Sequence, residues 1–139
     1  MKVRDVMHKG TTWVQSDTPV KDIAKLMRKQ DVGAIPVRAD SQLVGIVTDR
    51  DITCRALANS GNVDRMTAKD VMTKKVVRCS ADDDLAAAIK KMETKKIRRL
   101  PVTDSRERLV GILSLGDVSH KVSKGLSGQM LRAVSAHHR

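Results

Sequence analysis

At 139 residues the chain suits one domain or two tightly packed halves, and 40% hydrophobic with 31% charged residues exclude a disordered polymer. The formal charge of +11 favours anionic partners, whether nucleotides, nucleic acid or acidic proteins, but with no Phe, no Tyr and one Trp (Trp13) the chain lacks the stacking platforms of a single-strand reader. No apolar stretch approaches the roughly 18 residues of a membrane span, the N-terminal MKVRDVMHKG is too charged for a signal peptide, and Cys54 and Cys79 form no C-x-x-C pair, so the sequence reads as cytoplasmic with reduced thiols.

Taken in order, the chain opens on RDVM (Arg4 to Met7). A first helix is marked by Thr18 before Pro19 and by Val20, Ile23, Ala24 and Met27 at i, i+3, i+4, i+7. Two apolar runs follow, Ile35 to Arg38 and Leu43 to Thr48, joined by a polar turn, and read as a hairpin in which Pro36 belongs at a strand start or on an edge. A second helix begins at Thr48-x-x-Asp51 and runs to about Ala58, and NSGNVDRMT (Asn59 to Thr67) reads as a linker.

The same series then returns. A shift of 65 sets KDVM (Lys69 to Met72) on RDVM, Leu85, Ala88, Ile89 and Met92 on the first helical stripe, and Leu100 to Thr103, with Pro101, on the first strand of the hairpin. Asp82, Asp83 and Asp84 crowd the expected first turn of this helix, where acids complement the helix dipole. One extra loop residue makes the shift 66, so that Leu109 to Ser114 matches Leu43 to Thr48 and Ser114-x-x-Asp117 opens a last helix to about Lys124. Each half exposes one apolar face and is marginal alone, so the halves are expected to pack on each other. For the tail from Gly125, with Met130, Leu131 and Val134, helix and fraying both stay open.

The repeated Thr/Ser-x-x-Asp has two readings. As a capping box, hydroxyl and carboxylate satisfy free N–H groups at a helix start. As a binding element, the acid accepts hydrogen bonds from neighbouring ribose hydroxyls while the Thr or Ser hydroxyl donates to a phosphate oxygen. Capping alone does not call for a glycine three residues earlier, yet Gly45 and Gly111 are both there.

The order of DVM, amphipathic helix, x-PV, turn, LVGI and T/S-x-x-D, present twice from about Val3 to Lys124, resembles a tandem of cystathionine β-synthase (CBS) domains. The resemblance implies an α/β (α+β) fold of two β-α-β-β-α repeats packed around a pseudo-twofold axis. It divides the chain into a first repeat (1–60), a linker (61–67), a second repeat (68–124) and a tail (125–139). It also implies composite clefts for adenosine-type ligands such as AMP, ATP or S-adenosylmethionine, and disc-like homodimers. In such clefts Thr48 and Asp51 share a ligand with Arg98 and Arg99, whereas Ser114 and Asp117 share theirs with Gly33 and Ala34. Two guanidiniums clamp phosphate and glycine with alanine does not, so the first cleft is expected to prefer phosphorylated ligands.

Arg98 and Arg99 also read as solvated members of the basic run KKMETKKIRR. Cys54 and His120 fall at equivalent places, and N/S ligation suits zinc, although the spacing of His8, His137 and His138 does not complete a four-ligand set. No catalytic constellation is recognisable. The expectation is therefore a stand-alone regulatory or sensory module, no enzyme, with no required cofactor or metal and acting on an unidentified partner protein. The alternatives are a basic nucleic-acid-associated protein and a zinc protein centred on Cys54 and His120.

Overall fold

The structure, a computed structural model, describes residues 1–59 and 62–121. It divides into two compact units, Thr12–Val76 and Met1–Thr11 with Val77 onward. The tail residues Met130, Leu131, Val134, His137 and His138 lie outside the described residues.

In the unit Thr12–Val76, strand β1 (Val14–Gln15), helix α1 (Val20–Gln30), strands β2 (Ala34–Ala39) and β3 (Gln42–Thr48) and helix α2 (Asp49–Asp51) follow one another. The helical path then widens into a π-helix over Ile52–Leu57, where the N–H of Ala58 reaches Thr53 O at 3.0 Å. The sheet order is β1-β2-β3, parallel on the first side and antiparallel on the second. Helix α1 lays Val20, Ile23 and Met27 on Val14, Ile35, Val37 and Val47, each removed from water with a gain of about 1.5–3 kcal/mol for a large aliphatic side chain. Ala24, expected on that stripe, is exposed.

The other unit repeats this with β4 (Cys79–Ser80), α4 (Leu85–Lys95), β5 (Arg99–Thr103), β6 (Leu109–Ser114) and α5 (Leu115–Lys121), in the order β4-β5-β6. Leu85, Ala88, Ile89 and Met92 of α4 are buried against Cys79, Leu100, Val102 and Leu113. Helix α3 (Ala68–Val71) belongs to the first unit.

The compact units are offset from the letter repeat by one segment. The N-terminal RDVM, which forms a 3-10 turn over Val3–Asp5, docks on the sheet of the second repeat, burying Val3 and Val6 in its core. KDVM, on α3, docks in the same way on the first, burying Ala68 and Val71. The registers match residue for residue. His8 and Ile112 exchange backbone bonds of 2.8 and 3.1 Å, and Thr73 and Ile46 exchange bonds of 2.9 and 3.0 Å.

This docking explains the glycines. A Cβ on Gly111 would stand 2.8 Å from His8 O and 2.9 Å from Met7 Sδ, and one on Gly45 would stand 2.5 Å from Met72 Sδ. Each glycine therefore makes room for the methionine of the docking segment and owes nothing to the cap three residues later.

Docking also corrects the expectation for the prolines. Pro36 and Pro101 sit on the central strands and are buried, at neither a strand start nor a sheet edge. Their partners Ile46 and Ile112 turn both backbone groups away, toward Thr73 and His8, so these pairs need no proline N–H. On the other side, β1 and β4 pair only from Val37 and Val102 onward, one residue past each proline.

The expected caps of the long helices also differ. Pro19 occupies the N-cap of α1 without a side-chain bond, while Thr18 Oγ1 accepts from Gln15 N–H at 3.1 Å. The acids Asp82, Asp83 and Asp84 precede the first turn of α4, and the Asp83 carboxylate instead accepts from Ser80 N–H at 2.9 Å.

Candidate functional site

Both Thr/Ser-x-x-Asp elements are reciprocal capping boxes. Thr48 N–H donates to Asp51 Oδ2 at 2.9 Å and Asp51 N–H donates to Thr48 Oγ1 at 3.1 Å; Ser114 and Asp117 repeat this at 3.0 and 3.1 Å. Each hydroxyl accepts in this exchange and keeps its own proton for donation. Each carboxylate commits Oδ2 to the backbone and retains Oδ1. Capping and binding are therefore compatible at the same residues.

The two boxes differ in their surroundings. Asp51 is 8% exposed, and its Oδ1 lies 3.8 Å from Arg55 Nε. Arg55 in turn donates through Nη1 to Val71 O at 3.3 Å and Met72 O at 3.1 Å, the last carbonyls of the docking segment. Sequence reading missed Arg55, because only the fold brings it to a helix end sixteen residues away. Asp117 is half-buried, on a regular helix.

Within each unit the residues before Pro-Val run beside the box. Ala34 pairs with Thr48, and Gly33 O accepts from Asp49 N–H at 2.9 Å. A Cβ on Gly33 would meet Asp49 Oδ2 at 3.0 Å, so that position favours glycine while Asp49 keeps its place. Arg99 pairs with Ser114, and Arg98 O accepts from Leu115 N–H at 2.9 Å. Arg98 and Arg99 are both exposed. Thr48, Asp51, Gly33 and Ala34 thus belong to one unit, and Ser114, Asp117, Arg98 and Arg99 to the other.

The thiols separate by environment. Cys54 is exposed on the π-helix, whereas Cys79 is buried in β4. Burial, helped by the nearby charge of Asp83, pushes the Cys79 thiol up from an ordinary 9.0 to about 11, with Lys91 opposing. That makes Cys79 an inert core residue. His120 and His8 are exposed, and among the described residues no three His, Cys, Asp or Glu side chains gather to hold a metal. No helix among them is long and apolar enough to cross a membrane.

A second feature missed in the sequence is the pairing of Trp13 with Arg38, whose guanidinium carbon lies 3.8 Å from the ring centroid. Local spacing gives no sign of it, because Arg38 lies on β2, the parallel neighbour of the strand that Trp13 precedes.

Comparison with known proteins decides the family. The sequence model of the CBS domain matches residues 3–56 and 68–124. The chain belongs to the CBS domain family. CBS domain-containing protein YhcV of Bacillus subtilis (strain 168) is 34% identical over 134 residues, covering 96% of this chain and 94% of that one. Among solved structures, Hypoxic Response Protein I with two coordinated zinc ions is similar at a TM-score of 0.80 with 31% identity, over 88% of this chain and all of that one (100%). The CBS domain pair of protein MJ0100, in complex with 5′-methylthioadenosine and S-adenosyl-L-methionine, gives a TM-score of 0.74 with 27% identity, over 86% and 94% of the two chains. The two units of this CBS protein, each a helix-backed three-stranded sheet, have the mixed α+β architecture of that family.

Proposed function

We propose that this CBS protein is a regulatory or sensory module that binds an adenosine-type ligand of the AMP, ATP or S-adenosylmethionine class and performs no chemistry on it. The observation that carries the reading is the doubled capping box, in which each hydroxyl keeps a donor proton and each carboxylate keeps Oδ1 clear of the backbone bonds, with Arg55 Nε 3.8 Å from that oxygen in the first copy. A carboxylate oxygen next to a hydroxyl donor suits ribose and its substituents. The similar MJ0100 pair, whose structure holds two adenosine compounds, supports the same class.

The residues proposed to contact ligand are Thr48, Asp51, Gly33 and Ala34 together with Ser114, Asp117, Arg98 and Arg99. Arg98 and Arg99 give the protein its preference for phosphorylated over uncharged adenosine ligands. Ligand acts by differential affinity for two arrangements of the protein, which the partner protein reads; a homodimer is the proposed assembly.

Thermal-shift screening against AMP, ADP, ATP, NAD(H), S-adenosylmethionine and cyclic dinucleotides tests the reading, since a ligand that prefers the native state raises the melting point. A shift with an adenosine compound, reduced in Asp51→Asn or Asp117→Asn, is expected; no shift with any compound overturns it. Calorimetry on Arg98→Ala and Arg99→Ala then tests the phosphate preference, which falls if both bind AMP and ATP like the parent.

The zinc ions of Hypoxic Response Protein I raise a metal reading for Cys54 and His120. Elemental analysis of protein purified without a metal column, where stoichiometric zinc is the required outcome, decides that point. The nucleic-acid reading rests on the charge of +11 alone and requires DNA affinity that falls steeply with salt.

A further inference from the structure

Trp13 is the only aromatic residue in the chain, and it is 38% exposed, immediately before β1. A large ring left partly in water invites an explanation. Arg38 lies over the ring at 3.8 Å from its centroid. The arginine is itself unusual, because its Nε is shut off from solvent and has no hydrogen-bond partner among the described residues. The backbone fixes this pair in place. Gln15 is in parallel register with Arg38, Val14 with Val37, and the Thr12 hydroxyl is bonded to Gln30 at the end of α1.

The equivalent places in the other unit carry none of this. Arg78 stands where Trp13 does, and Thr103 where Arg38 does, each one or zero residues from the same parallel register of β4 and β5. Arg78 is paired with Glu107 at 3.0 Å, and the Thr103 hydroxyl turns to Cys79 O at 3.5 Å. The stack is a property of one unit and is not required by the fold that both share.

We infer that Trp13 with Arg38 is a base-stacking platform, on which the purine base of a mononucleotide lies against the open part of the indole while Arg38 backs the ring. The inference rests on the adenosine-ligand reading above and adds to it the contact for the base. Two points converge. A flat aromatic surface attracts any base through its π-face. The cation behind the ring holds it flat and raises the local positive potential, which favours a nucleotide over a neutral aromatic. One platform serves one base, so the expected ligand is a mononucleotide and not a strand, which needs successive rings.

The chain's single tryptophan makes the test direct. Full-length protein is titrated with AMP and ATP while the Trp13 emission is followed, and the same titrations are run by calorimetry. The expected result is a saturable change in emission with the calorimetric midpoint. Trp13→Leu then weakens binding by about 10-fold or more, while Trp13→Phe stays within about 3-fold of the parent, in line with the contribution of one base–aromatic stack. Arg38→Met weakens AMP and ATP more than adenosine. Circular dichroism and the melting point of each variant show that it folds, and the emission of the unsubstituted protein needs no variant at all.

Calorimetric binding with unmoved emission, or a folded Trp13→Leu that binds like the parent, overturns the platform and leaves the adenosine reading standing. Absence of calorimetric binding to the parent protein overturns both.

Discussion

The two units of this protein have the same strand order, the same kind of docked segment and the same capping box, yet they differ at many polar positions around that frame. One holds Trp13 stacked on Arg38, with Gly33 and Ala34 before its Pro-Val and Asp51 nearly buried beside Arg55. The other holds Arg78 and Thr103 in those places, exposed Arg98 and Arg99 before its Pro-Val, and a half-buried Asp117. Core positions are constrained by packing, so they repeat; polar positions at the surface are not, so they are free to specialise. A doubled fold can thus keep one architecture and present two different surfaces to ligands.

The largest expected break of the symmetry lies at the two glycines. In Gly111→Ala the new methyl meets His8 O at 2.8 Å, and that carbonyl is held in the bridge to Ile112. In Gly45→Ala it meets chiefly Met72, the end of a flexible side chain, with Thr73 O at 3.1 Å. Urea unfolding should show a loss of about 2–3 kcal/mol for Gly111→Ala and about 1 kcal/mol for Gly45→Ala. Equal losses would mean that the two docked segments are equally yielding.

A second difference is chemical. Cys79 takes the place of Val14, and burial raises its thiol to about 11. The folded state then holds its proton where the unfolded chain has released it, so stability is complete below about pH 9 and is lost as pH rises toward 11. The loss is about 2 kcal/mol, and Cys79→Val should flatten this alkaline limb in melting curves run from pH 8 to 11. In the same protein a thiol reagent at pH 8 should label exposed Cys54 and spare Cys79 until unfolding.

The caps should behave alike. Thr48→Ala and Ser114→Ala each remove the acceptor for an Asp N–H and are expected to cost about 1 kcal/mol by urea unfolding. A Thr48 cost far above that of Ser114 would show that the link from Asp51 through Arg55 to the docked segment depends on the box.

The smallest contrast is at the helix ends. Lys96 and Asp31 both close their helices in the left-handed region, at φ 55 and 54. Asp tolerates that region better than Lys. Lys96→Gly should therefore stabilise by about 0.5–1 kcal/mol and Asp31→Gly by less, read as melting temperatures.

Much of this was legible in the letters. The helix stripes of Val20, Ile23, Met27 and of Leu85, Ala88, Ile89, Met92, the hairpins and both capping boxes follow from local periodicity and from repetition, and the family from the resemblance of the repeated motifs to CBS domains. Ala24 is exposed although Ile89, at the matching place on α4, is buried, a difference between the two helices that their common spacing does not show. The prolines were misjudged because strand position depends on which residues come to lie beside Ile46 and Ile112.

By itself, then, the sequence determined the elements, their order and the doubling, because hydrogen bonding and apolar spacing act over a few residues. Only the tertiary structure decided that RDVM packs on the second sheet and KDVM on the first, that Gly45 and Gly111 exist to seat methionines, and that Arg38 covers Trp13. Those outcomes depend on steric fit between segments far apart in the chain, for which residue spacing carries no signal.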